Sequence, residues 1–136
     1  AERERAHLRK HVIRRAIDAL AAALDVDRRR RTVRVTGKGR GGRNLEFVLA
    51  VAEGMASASP AALASIGTDG NDGSCGGGGA VVDSMTMTRA SALGLESPGS
   101  YLAANDSLAF FARLDDVIRL GRTDTNVGDL QVMVIT

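Results

Sequence analysis

The chain has 136 residues, 44% of them hydrophobic, which is material for one compact core and hardly for two. Only 3% are aromatic and Trp is absent, so that core must be assembled from Ala, Val, Leu, Ile and Met. No run approaches the roughly 20 apolar residues that cross a bilayer, the first residues are charged rather than signal-like, and a single Cys cannot close an internal disulfide, so membrane and disulfide-scaffold classes are set aside and a cytoplasmic location is expected. The net charge of +2 conceals a division: residues 1–43 hold 14 of the 18 Lys and Arg against five acids, whereas residues 44–136 hold four against eleven. A basic segment of this kind attracts phosphate, nucleic acid or the acidic remainder of its own chain, and is equally accounted for as the solvated face of a helix. Basic surface alone is common, so nucleic acid ranks last among these partners.

From Glu2 to Leu24 the residues Leu8, Val12, Ile13, Ala16, Ile17, Leu20 and Leu24 recur at three- and four-residue steps, which predicts an amphipathic helix. His7 and His11 share a face of it, but no third or fourth zinc ligand accompanies them. Asp25 to Arg31 breaks the pattern, so residues 1–31 read as a helix with a basic linker and residues 32–136 as a separate domain. Thr32 to Thr36 alternates as a half-buried strand, and the glycine-rich loop Gly37 to Gly42 leads into a helix from Asn44 to Ala56. Ala61 to Ile66 is a buried strand, followed by a loop from Gly67 to Gly79 and a strand at Ala80 to Val82. Helices are expected over Thr86 to Leu93 and Ser100 to Leu114, with strands at Val117 to Leu120 and Leu130 to Ile135. Strands separated by helices predict an α/β fold, a single layered domain with a mixed β-sheet flanked by helices.

Four loops hold the polar residues from which chemistry is made. In the first, glycines allow close approach of backbone N–H groups to an anion, the following helix presents its positive end, and Lys38, Arg40 and Arg43 add full charges. Its spacing is neither that of a Walker loop nor that of a dinucleotide fingerprint, and a plain flexible turn explains it equally well. The second, Gly67 to Gly73, sets Asp69 and Asp72 three apart at the end of a buried strand, where ligands of α/β sheets and Mg²⁺ are met; an ordinary turn favours the same residues. Asn105-Asp106-Ser107 is read first as a helix cap. Thr123 to Asp129 is a dense polar loop suited to hydroxyl and carboxylate groups. Cys75 has no basic partner nearby and is a poor nucleophile candidate.

The order and wording of these loops are more specific than any one of them. Gly39-Arg40-Gly41-Gly42-Arg43-Asn44-x-Glu46, Gly67-Thr68-Asp69-Gly70-x-Asp72-Gly73, Gly79-Ala80-x-x-Asp83, Asn105-Asp106-Ser107 with Phe110-Phe111, and Thr125-Asn126-Val127-x-Asp129-Leu130-Gln131 together resemble the MOFRL domain. That domain is the C-terminal part of the glycerate kinase and hydroxypyruvate reductase family. The resemblance implies ATP-dependent phosphorylation of the 2-hydroxyl of D-glycerate, in a cleft shared with an N-terminal nucleotide-binding domain that carries the catalytic lysine and is not in this chain. It further implies that Arg43, then Arg40, stabilises charge on the transferring phosphoryl group, that Asp69 and Asp72 orient Mg²⁺ or the acceptor hydroxyl, and that Lys38, Asn44, Glu46, Asn126 and Asp129 bind substrate or phosphate.

The chain departs from the family at Gly76, where an acidic residue is usual within Pro-Thr-acid-Ala-Ala, and at Asp124, where Gly is usual. The alternative expectation is therefore a small-anion-binding or interaction module that has lost catalysis, the isolated chain being inactive in either case.

Overall fold

The computed structural model describes residues 35–57 and 60–136. The expected helix over Glu2 to Leu24, with His7 and His11, and most of the expected strand at Thr32 to Thr36 lie outside the described residues. The domain boundary near residue 31 lies there too.

Helix α1, Arg43–Ser57, buries Leu45, Val48, Leu49, Ala52 and Met55 along one stripe and Phe47 and Val51 beside it. It lies against β1, Ala61–Gly67, and β2, Gly79–Asp83. In β1 the burial alternates strictly, with Ala61, Leu63, Ser65 and Gly67 beneath the helices and Ala62, Ala64 and Ile66 on the other face. Three short helices follow, α2 (Thr86–Ala92), α3 (Pro98–Ala103) and α4 (Ser107–Leu114), then β3 (Val117–Ile118) and β4 (Asp129–Ile135). With so few rings available, Phe110 and Phe111 are both completely buried, and Phe110 meets Phe111 and Tyr101 edge-on at centroid distances of 5.3 and 5.4 Å.

The strand order is β3-β2-β1-β4. The α/β class expected from the sequence stands. Within it, each pairing of the described strands is antiparallel rather than mixed, with Ala64 opposite Val81 on one side and Val132 on the other. For β1 and β2 the reason lies in their connection, which carries no helix and turns the chain straight back. Leu130, Val132 and Val134, each about half exposed, line the face of the sheet away from the helices, and no described element covers them. Among the described residues no helix is long and apolar enough to cross a membrane.

The helix expected from Ser100 to Leu114 is two helices. Asn105 adopts φ 52°, a left-handed conformation that cannot continue α3, and its side chain turns toward the glycine loop. Val35 and Thr36, the described end of the expected first strand, are irregular.

Candidate functional site

The glycine loop is held from below by the Asn105-Asp106-Ser107 turn. Thr36 and Gly37 both donate their backbone N–H groups to Asn105 Oδ1, at 2.9 and 2.8 Å. Gly39 N–H donates to the Ala104 carbonyl, and Arg40 N–H donates to Asp106 Oδ1. A Cβ at Gly37 would lie 2.0 Å from the Ala104 oxygen, and one at Gly39 would lie 2.3 Å from the Asp106 Cβ, so glycine is required here by close approach. These amides are thus engaged by the protein itself, where the sequence left an anion site and a plain turn as equal readings. The helix-cap reading of Asn105-Asp106-Ser107 holds in position but not in bonding: Asp106 is the N-cap residue of α4 yet makes no side-chain cap hydrogen bond, because its carboxylate serves Arg40. Asn105 Nδ2 donates to Glu46 Oε1 at 2.7 Å, which places the buried Glu46 carboxylate in the same framework.

Arg40 is exposed and ties the first loop to the second, its Nε and one Nη donating to the Ser74 carbonyl at 3.2 and 2.9 Å. Lys38 is exposed on the loop. Asp72, 1% exposed, reaches the start of α1, where Oδ1 accepts from Asn44 N–H and Nδ2 and Oδ2 accepts from Leu45 N–H. The positive end of the helix is therefore matched by an internal carboxylate from 28 residues along the chain.

Asn44, 2% exposed, bridges that cap to the fourth loop, its Nδ2 also donating to Asp129 Oδ1 at 3.1 Å and its Oδ1 accepting from Ser65 Oγ. Asp129 in turn receives the Arg43 fork, Nε to Oδ2 at 2.5 Å and Nη2 to Oδ1 at 2.7 Å. The hydrogen bond to Asp129 raises the Arg43 pKa above its ordinary value against the opposing effect of burial, and the charges of Asp129, Asp72 and Asp69 add to the rise. The Arg43 hydrogen bond likewise holds Asp129 below the usual carboxylate range, assisted by Asn44.

The second and fourth loops are joined through Thr68. Its N–H and Oγ1 both donate to the Gly128 carbonyl, Oγ1 accepts from Val127 N–H, and its carbonyl accepts from Thr123 Oγ1. Asp69 is half-buried, with Oδ1 accepting from Asn71 N–H, and Asn126 Oδ1 accepts from Gly128 N–H. Four loops far apart in sequence thus converge on one polar end of the sheet, around Arg43, Asp129 and Asp69.

The MOFRL family model matches residues 30–129 of the chain. The chain belongs to the MOFRL family. It is similar to a glycerate kinase of Danio rerio, 43% identical over 110 residues that make up 76% of this chain and 22% of that protein. It is 39% identical over 103 residues to a D-glycerate 2-kinase of Thermotoga maritima, covering 76% of this chain and 24% of the relative. A crystal structure of glycerate kinase from Thermotoga maritima superposes with a TM-score of 0.71 at 37% identity, over 76% of this chain and 25% of that one. The chain thus spans about a quarter of the length of the relatives it matches.

Within this MOFRL chain the two departures have different structural standing. Asp124 takes φ 56°, a conformation that suits the glycine usual there, and forms an exposed ion pair with Arg122. Asp124→Gly is expected to raise stability by up to about 1 kcal/mol, the relief of left-handed strain being partly offset by the freer unfolded chain, as checked by urea denaturation. The glycine run is packed rather than loose: Asp72 N–H donates to the Gly77 carbonyl, Gly67 N–H to that of Gly78, and Gly78 N–H to that of Ile118. A Cβ at Gly79 would lie 1.9 Å from the Ser65 carbonyl oxygen, whereas one at Gly76 would meet nothing within 4 Å, although φ there is 67°. Cys75 is buried, and that burial pushes its thiol pKa up, away from a reactive thiolate.

Ser65 was not singled out from sequence, and Thr68 was quoted in a motif without a role. Ser65 occupies a core position of an apolar strand, where a polar residue in the buried register is itself a signal of a satisfied network. The Arg43–Asp129 pair also has a pH signature. Because the folded pKa of Asp129 is depressed, its contribution is present above the ordinary carboxylate pKa of about 4 and is lost as pH falls through the folded value. Arg43 is half exposed, so solvent screening keeps that contribution small. The melting temperature of Asp129→Asn is expected to lie below that of the parent at neutral pH and to converge with it in acid, which thermal melts across that range would check.

Proposed function

We propose that this chain is the C-terminal domain of a glycerate 2-kinase, supplying substrate-binding and charge-stabilising groups for ATP-dependent phosphoryl transfer to the 2-hydroxyl of D-glycerate. The observation that carries the reading is the convergence of the family's loops on the Arg43–Asp129 pair with Asp69 beside it. Phosphoryl transfer asks the protein chiefly for positioning and for electrostatic stabilisation of the transferring group. Arg43 fits that requirement: Asp129 holds two of its nitrogens, and the second terminal nitrogen has no partner among the described residues, so it is available to a phosphate or carboxylate oxygen. Asp69 orients the acceptor hydroxyl, Asn126 and Asp129 border the substrate, and Lys38 and Arg40 add positive charge at the rim.

Asn44, Glu46 and Asp72 take a different part from the one their motif implied, because all three are buried and bonded within the protein. They form the frame that fixes Arg43. Magnesium, implied by the family, does not find a complete site here. Among the described residues no three His, Cys, Asp or Glu side chains are grouped to hold a metal, and both Asp72 oxygens are engaged. Mg²⁺ held by nucleotide phosphates takes only one or two protein carboxylates, so Asp69 is the residue of this chain that would face it, the remaining ligands coming from the nucleotide and the N-terminal domain of the longer enzyme.

The test is an assay of a polypeptide joining this domain to its nucleotide-binding part. D-Glycerate should drive ADP release, with NMR placing the new phosphate on the 2-hydroxyl. ADP release indifferent to D-glycerate would sink the assignment.

A further inference from the structure

We propose that Ser65 is a positioning residue for Arg43, acting from the sheet through Asn44 and Asp129. Ser65 is completely buried in β1, and its hydroxyl donates to Asn44 Oδ1 at 2.5 Å. The Asn44 amide has one carbonyl and one NH₂ group, and its nitrogen donates to two carboxylates, Asp72 at 3.2 Å and Asp129 at 3.1 Å. With the NH₂ group so committed, the carbonyl must face β1, where Ser65 supplies its hydrogen bond. Asp129 Oδ1 then receives two donors, Asn44 Nδ2 from the buried side and Arg43 Nη2 from the exposed side.

That arrangement differs from an ordinary satisfied core hydroxyl in where it ends. The buried links, Ser65 and Asn44, are anchored to a strand and to the first turn of α1, whereas the last link, Arg43, has a half-exposed side chain. Without the Ser65 hydroxyl the Asn44 carbonyl loses its donor, and the amide can shift away from Asp129 toward its remaining partners. Asp129 stays in β4 through its backbone, but its carboxylate is then held only by its half-exposed arginine, and the pair loses its fixed orientation. A residue separated from the ligand by Asn44, Asp129 and Arg43 would in this way set the precision of the group that meets it.

The proposal rests on the reading of Arg43 given above, but its geometric part is measurable in this chain without turnover. NMR of the parent, Ser65→Ala and Ser65→Thr would follow the Arg43 Nε–H resonance and the titration of the Asp129 carboxyl. In Ser65→Ala, exchange of the Arg43 Nε–H with water should quicken about fivefold to tenfold, the equivalent of roughly one hydrogen bond, and the Asp129 midpoint should move up. Ser65→Thr, which keeps the hydroxyl on a strand residue, should restore both. Unchanged signals in Ser65→Ala would overturn the proposal even if the melting temperature fell, and so would a folded Ser65→Thr that behaves as the alanine variant does. In the longer enzyme Ser65→Ala should lower kcat with little change in KM. NMR signals that move while kcat and KM both stand would keep the relay and overturn the role given to Arg43, so the two failures are distinguishable.

Discussion

Asp72→Ala is expected to destabilise the domain by about 3–5 kcal/mol, a large fraction of the roughly 5–15 kcal/mol that holds a domain of this size together. The side chain is buried, and its removal orphans two backbone N–H groups at the start of α1 together with one Asn44 amide hydrogen. Each buried donor left without a partner costs about 1–3 kcal/mol, and the lost negative charge at the helix N-terminus adds to that. Water cannot simply take the place of the carboxylate, because Asn44 and Leu45 are themselves buried. Asp72→Asn keeps the shape but turns one acceptor into a donor facing donors, so it should recover only part of the loss. The melting temperature of the alanine variant should fall by about 15–25 °C. A fall of a few degrees would show that the cap is dispensable, and would return Asp72 to the pool of residues available to a ligand.

Arg43→Ala should have the opposite profile. The guanidinium is half exposed and its ion pair is screened, so stability should change little. In the longer enzyme proposed above, kcat/KM for D-glycerate is expected to fall by about 10³ or more, the scale on which an arginine stabilising a transferring phosphoryl group acts. Arg43→Lys should recover little of this, since one ammonium cannot both replace the two-point contact with Asp129 and reach a substrate oxygen. Steady-state kinetics beside a thermal melt separate the two variants. A kcat/KM within tenfold of the parent for Arg43→Ala would remove Arg43 from the chemistry.

Much of the fold was legible because the chain advertises its periods. The buried strand at Ala61 to Ile66 and the helix over Asn44 to Ala56, carried by Phe47, Val48, Val51, Ala52 and Met55, emerge where they were read. The break at Asn105 was legible only as the cap signal of Asn105-Asp106-Ser107, set inside an apolar pattern that runs on from Ser100 to Leu114. What stops the helix is a side chain held by residues about 60–70 positions away, Thr36, Gly37 and Glu46. The loops themselves were found from their residue types, but the division of labour within them was not. Asp69 and Asp72 are equivalent in a motif, yet one lies half-buried and the other reaches beneath a helix. Glycines that read as a cradle for an anion prove to be points of close backbone contact with the Asn105 turn. Sequence spacing cannot distinguish a backbone made for a ligand from one made for its own chain.

The distances along the chain that these contacts close also govern how the domain comes into being. Arg43 and Asp129 are 86 residues apart, Thr36 and Asn105 are 69 apart, and Thr68 meets Gly128 across 60. Contacts of such separation carry the loop-closure entropy of most of the domain and form late in folding. During synthesis α1 emerges before the carboxylate that caps it, and the partner of Arg43 arrives only with the last strand. A nascent or truncated chain ending short of Asp129 can therefore hold most of the hydrophobic core without yet owning a site.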